Sequence, residues 1–115
     1  MLSTPSPKRT AEFYARIFQM KPTRKTEDGS YVEFDLGGVV LILKEDLTRE
    51  ERAAYGFGAV EKNRGWGAIY RIRAADYDLL RRRAKNVKGA IVRDNADPKS
   101  LILRDPAGFL LEILP

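Results

Sequence analysis

The strongest constraint on this chain is a segment that occurs twice. Tyr31-Val32-Glu33-Phe34-Asp35-Leu36-Gly37-Gly38-Val39-Val40-Leu41-Ile42-Leu43 aligns without a gap on residues 101–113. In that alignment Asp35 falls on Asp105, Gly38 on Gly108, Leu41 on Leu111 and Leu43 on Ile113. Each copy reads as strand, tight turn, strand. Asp105-Pro106-Ala107-Gly108 has turn chemistry: Asp suits the first position, Pro presets φ at the second, and Gly gives freedom at the fourth. A helical segment precedes each copy, 9–20 in the first and 75–87 in the second. The chain is therefore expected to hold two related modules, each with a helix and a closing hairpin.

Helix signals are clear in the first module. Ser6 is a good N-cap with Pro7 at the first helical position. Phe13, Tyr14, Ile17 and Phe18 form one apolar stripe that should face the core. Residues 23–27 read as an exposed strand, Asp28-Gly29 as a hairpin turn, and 31–36 and 39–43 as strands. Thr48-Arg49-Glu50-Glu51 is a capping box that should start a short helix ending at Ala53 or Ala54. Residues 46–64 connect the modules, and Tyr55-Gly56-Phe57-Gly58 within them reads equally as a lid over a cleft or as a packed linker.

In the second module 66–72 reads as a strand. Ala68, Tyr70 and Ile72 share one face, and Gly67, Ile69 and Arg71 the other. Leu80, Ala84 and Val87 mark the buried side of the second helix, and Gly89 is placed to end it. A short strand at 90–93 and a turn at 95–98 lead into the closing hairpin. The expected fold is α+β: two βαβββ modules whose curved mixed sheets enclose a common cleft, with the first strand of module one short or missing. Module one covers 1–45 and module two 65–115 of a single domain over 1–115.

Composition narrows the chemistry. The chain has no cysteine and no histidine. Disulfides, thiolate metal sites and a Cys nucleophile are excluded, as is the usual general base near neutral pH. Proton transfer would fall to Asp, Glu, Lys or Tyr, and a metal would need an all-oxygen site. No apolar run approaches a membrane span, and the N-terminal residues lack a secretory apolar region. The expected location is cytoplasmic. A net charge of +5 favours anionic partners. Arg81-Arg82-Arg83 spans most of a helical turn and cannot form one basic stripe, so nucleic acid is not expected as a partner.

The repeated order, Phe13-Tyr14 on the first helix, Asp28-Gly29-Ser30-Tyr31-Val32-Glu33-Phe34, and Asp105-Pro106-Ala107-Gly108 before Leu111-Glu112-Ile113 together resemble the vicinal oxygen chelate superfamily. That group includes glyoxalases, bleomycin and fosfomycin resistance proteins, extradiol dioxygenases and methylmalonyl-CoA epimerase. The resemblance implies two modules around a cleft and, commonly, a homodimer. In metal-dependent members it also implies a divalent ion held by the first and last strands of each module. Carried over position by position, Glu112 matches the family carboxylate. Its counterpart in module one is Ile42, and the first strand of module two offers Gly67 or Trp66. None of these three is a metal ligand. No metal or other cofactor is therefore expected.

The resemblance points to a small molecule bound in the cleft, as bleomycin resistance proteins bind their drug, and the basic net charge favours a neutral or anionic ligand over cationic bleomycin itself. Val40, Ile42, Ile69, Leu110 and Leu114 are expected as apolar wall, with Tyr55, Phe57, Trp66 and Gly67 nearby and Arg71 and Glu112 as polar anchors. The alternative is a glyoxalase-type lyase or isomerase, or a dioxygenase-related enzyme, using Glu112 as general base or sole retained metal ligand. Burial among apolar neighbours would favour the protonated carboxyl of Glu112 and suit it to acid–base work, with Arg71 stabilising an oxyanion. A third outcome is that Glu112 and Arg71 simply pair.

Overall fold

The computed structural model describes residues 2–36, 40–46, 48–55 and 69–115, without the side chains of Ser3, Arg52 and Tyr55. Module one contains β1 (Leu2–Thr4), α1 (Pro7–Phe18), β2 (Arg24–Lys25), β3 (Tyr31–Asp35) and β4 (Val40–Glu45). A short helix, α2 (Arg49–Tyr55), follows. Module two contains β5 (Ile69–Arg73), α3 (Tyr77–Lys85), β6 (Ile91–Ala96), β7 (Lys99–Arg104) and β8 (Leu110–Leu114). The two sheets have the same topology, β1-β4-β3-β2 and β5-β8-β7-β6. In each, the first strand runs parallel to the last and the other pairs are antiparallel. The expected α+β duplication is the observed fold.

The first strand is short but present. Leu2–Thr4 pairs with Leu43–Glu45. Leu2 is buried, and the buried Thr4 and Thr10 hydroxyls meet at 2.8 Å, fastening β1 to α1. α1 begins as its sequence dictates: the Ser6 Oγ accepts from the Arg9 N–H at 3.3 Å, with Pro7 in the first turn. Thr48 and Glu51 exchange the reciprocal hydrogen bonds of a capping box, at 3.1 and 3.3 Å.

The gapless form of the repeat does not survive. β8 matches β4 as expected, but the strand before the turn is displaced by one residue. Asp35 pairs with Val40, whereas Arg104 pairs with Leu110. Asp35 therefore corresponds to Arg104, and the place of Asp105 is taken by Leu36. The connection in module two is one residue longer. Side chains alternate with period two, so burial decides the register. Phe34 and Val32 face the core as Leu103 and Leu101 do, while Asp35 and Arg104 are exposed.

β6 and β7 are also longer than expected. Asn95 and Ala96 remain in the ladder, and the turn shrinks to Asp97-Pro98, joined by a cis peptide bond. The Asn95 Nδ2 donates to the Ser100 Oγ at 2.8 Å and holds the two strands to their ends. α3 starts at Tyr77 because the Asp76 carboxylate caps it, accepting from the Leu79 N–H at 3.1 Å.

One core joins the modules. Tyr14, Ile17, Phe34 and Leu43 from the first pack with Leu80, Ala84, Leu101, Leu103 and Ile113 from the second. The other face of each sheet stays open: Ile42 in β4 and Leu110, Glu112 and Leu114 in β8 are half-buried. No described helix is long and apolar enough to cross a membrane.

Candidate functional site

A crevice opens where the two sheets approach each other. β1 pairs only with Leu43–Glu45, so among the described residues Val40 and Leu41 lack a neighbouring strand on that side. The edge strand β5 lies across the gap. Between them is a cavity of about 350 Å³, within the range of small-molecule sites. Leu2, Leu36, Val40, Leu41, Ile72 and Leu111 give apolar walls, Tyr14 and Tyr70 give aromatic surface, and Arg71 and Arg73 are the cations. Val40 and Tyr70 are about half exposed, at 56% and 44%. Apolar side chains exposed together at a concave mouth are a mark of a binding surface.

The guanidinium groups have defined partners. The Arg71 Nε donates to the Glu112 Oε2 at 2.8 Å across the β5–β8 ladder, where the two residues are register partners. The Arg73 Nη1 donates to the Pro115 carbonyl at 3.1 Å. Each retains N–H groups for a further acceptor. Glu112 is thus paired with its neighbour, with its side chain 22% exposed.

Of the residues expected from sequence, Val40 and Arg71 line the crevice, and Glu112 reaches it through Arg71. Ile42, Leu110 and Leu114 lie on the open sheet faces, and Ile69 is 52% exposed on β5; none of these four lines the cavity. Phe57, Trp66, Gly67 and the Tyr55 side chain lie outside the described residues. Sequence reading missed Tyr14, Tyr70, Arg73 and Leu36. Alternation had assigned Tyr70 and Arg71 to opposite faces, which is correct, but an edge strand can present both faces to a crevice beside it.

Beneath the crevice, the Tyr14 hydroxyl donates to the Asp105 Oδ2 at 2.7 Å. The other carboxylate oxygen accepts from the Ala107 and Phe109 N–H groups, each at 2.9 Å. Gly108, at φ 98, completes the turn. Burial holds the Tyr14 phenol protonated far above its ordinary range, and the adjacent Asp105 adds to this. Burial also pushes the Asp105 carboxyl up, against the pull of its Tyr14 and backbone donors. By sequence alone Asp105 reads only as a turn former. Its burial was invisible because the partner lies 91 residues away.

Metal-dependent proteins of this fold hold a divalent ion between the modules, and the donors among the described residues do not fit one. Glu112 gives one carboxylate, already engaged by Arg71, and Ile42 gives no donor. Among the described residues no group of three or more carboxylates is placed to hold an ion, and affinity for a hard cation needs several oxygen ligands in fixed geometry.

Two βαβββ units of identical topology, joined by one core and flanking a crevice, define the vicinal oxygen chelate fold. Comparison with solved structures bears this out. The chain is similar to a lactoylglutathione lyase from Agrobacterium tumefaciens, with TM-score 0.67 and 23% identity over 97% of this chain and 86% of that one. It is also similar to a genomically encoded fosfomycin resistance protein from Listeria monocytogenes, with TM-score 0.67 and 14% identity over 98% and 85%. A third is a glyoxalase/bleomycin resistance protein/dioxygenase from Nocardioides, with TM-score 0.64 and 18% identity over 97% and 77%. No family model matches the sequence. No curated protein matches it either.

Proposed function

We propose that this chain is a metal-free small-molecule-binding protein of the vicinal oxygen chelate fold. Its ligand is a neutral or anionic compound with an apolar body, bound in the crevice between the modules. The observation that carries this reading is the crevice itself: apolar and aromatic walls with two guanidinium groups. An apolar body would displace water from Leu36, Val40 and Leu41, and an acceptor group would orient on Arg71 or Arg73. A homodimer that covers Val40, Ile69 and Tyr70 belongs to the same reading, as does a cytoplasmic location.

The enzyme alternative rests on one observation, the Arg71–Glu112 pair beside the crevice. There Glu112 would accept a proton next to a carbonyl while Arg71 turned to the oxyanion, and the step would first require parting the pair.

The test is calorimetric titration with matched sets of aromatic carboxylates, amides and amines. Carboxylates and amides should bind, and Val40→Trp, which fills the crevice, should abolish binding without unfolding the chain. Binding that prefers the amines, or that is indifferent to Val40→Trp, would overturn the reading. Turnover of any bound carbonyl compound, lost in Glu112→Gln, would favour the enzyme.

A further inference from the structure

A second concave site lies on the helical side of the molecule, away from the crevice. It is a cleft of about 330 Å³ where α1, the segment after α3 and the closing turn meet. Four cations line it, Arg9, Arg16, Lys88 and Arg104. Arg9 and Arg16 stand seven residues apart on α1, with Glu12 and Phe13 between them on the same helical face. Lys88 comes from the loop after α3, and Arg104 from the end of β7.

Three features make this more than general surface charge. All four cations are exposed, and none makes an ion pair with another described residue. Arg81 on the neighbouring helix, by contrast, is engaged by Asp94 at 2.7 Å. Next, the Arg16 Nη2 donates to the Asn86 carbonyl at 3.2 Å, which fixes that side chain over the cleft. Last, the two acidic side chains that line the cleft leave the excess standing. Glu12 offsets one cation, and the Asp105 carboxylate is turned inward to Tyr14 and to backbone N–H groups.

We propose that this cleft binds a small ligand carrying a di- or triphosphate group. A single carboxylate would satisfy one guanidinium and leave the others repelling one another. A polyphosphate presents several charged oxygens to guanidinium and ammonium donors at once. The cations surround a concavity whose walls include Phe13, Val87 and Pro106, so an organic portion has apolar surface to rest on. They do not form an extended stripe of the kind a nucleic-acid backbone follows.

The experiment is calorimetric titration of the whole chain with inorganic tripolyphosphate, pyrophosphate and orthophosphate at low ionic strength, then at about 150 mM salt, where exposed charges are partly screened. Tripolyphosphate should bind with one-to-one stoichiometry, more tightly than orthophosphate. Arg104→Gln with Lys88→Gln should weaken it by about tenfold or more, roughly 1.4 kcal/mol. Arg82→Gln, which removes an exposed charge outside the cleft, should leave it unchanged. Arg16→Gln is a further variant, checked by thermal melting because Arg16 also caps the α3 segment. Absence of binding at low salt would overturn the proposal. So would equal weakening in Arg82→Gln, which would indicate diffuse attraction, or much tighter binding of a short single-stranded oligonucleotide than of tripolyphosphate. Crevice-filling Val40→Trp should leave tripolyphosphate binding intact, so this proposal stands apart from the one above.

Discussion

The hydroxyl of Tyr14 on α1 donates to the Asp105 carboxylate in the β7–β8 turn at 2.7 Å. Both residues are buried, Tyr14 fully and Asp105 to 3% exposure. This bond ties the helix of module one to the closing hairpin of module two. Tyr14 also borders the crevice, so the same contact sets the spacing of the candidate site.

Tyr14→Phe should destabilise the protein by about 1–3 kcal/mol, because a buried carboxylate oxygen loses its donor while the ring packing stays. Asp105→Ala should cost more, since the Ala107 and Phe109 N–H groups lose their acceptor as well. Denaturant unfolding checks both. A Tyr14→Phe variant as stable as the parent would show that the bond contributes nothing.

Stability should depend on pH in two opposed ways. The folded Asp105 carboxyl titrates above its ordinary value of 3.8, chiefly because it is buried. Above 3.8 the folded state then holds more protons than the unfolded one, and this contribution falls as pH rises through the folded value. Asp28 is the reverse. The Ser30 N–H, then the Thr26 and Ser30 hydroxyls, hold it down at about 2. Its contribution is present above 3.8 and lost as pH falls toward 2. Comparing the parent with Asp105→Asn and with Asp28→Asn across acid pH separates them. The parent should lose ground to Asp105→Asn as pH rises; a gain would reverse the assigned direction.

The Arg71–Glu112 pair should matter little for stability. The Arg71 side chain is 68% exposed, and pairs of this kind contribute about 0–1 kcal/mol. Glu112→Gln should therefore melt close to the parent and well above Asp105→Ala. A loss comparable to that of Asp105→Ala would mean that the pair is structural.

Helix caps give a local test. Ser6→Ala and Asp76→Ala each remove a side-chain acceptor from a first-turn N–H and should cost about 0.5–2 kcal/mol. Their effects should add in the double variant, because the caps belong to different helices. Strong coupling would imply that α1 and α3 respond as one unit.

Binding in the crevice should track Arg73 as well as Arg71. Arg73→Gln keeps a polar side chain, shorter than arginine, and removes the charge. It should weaken an anionic ligand by about tenfold while leaving an uncharged amide of the same shape nearly unaffected. Titration of both ligands against the variant checks this, and equal loss for both would argue for a packing effect.

The duplicated architecture was legible in the residues. Two turn-and-strand signatures, each behind an amphipathic helix, repeat at a fixed interval, and caps at Ser6 and Thr48 mark helix starts without outside help. The register inside the first hairpin was not legible. Residues 31–43 match 101–113 best without a gap, but a gapless match would turn Phe34 to solvent, and only burial against the second module rejects it. Glu112 stands out in the sequence as the one charge in the final apolar strand. Its pairing with Arg71 depends on the parallel register of β5 and β8.

The sequence by itself determined the class of fold, the helix boundaries set by caps, and the chemistry available to a chain without histidine or cysteine. These follow from local periodicity, turn residues and side-chain inventory, all of which act over a few neighbouring residues. Tertiary structure alone decided that Asp105 is buried against Tyr14, that a short β1 leaves a crevice beside Val40, and that cations from α1, from the segment after α3 and from the end of β7 converge on one cleft. Those relationships join residues tens of positions apart, and which groups meet is fixed only when the two sheets and their helices close on a shared core.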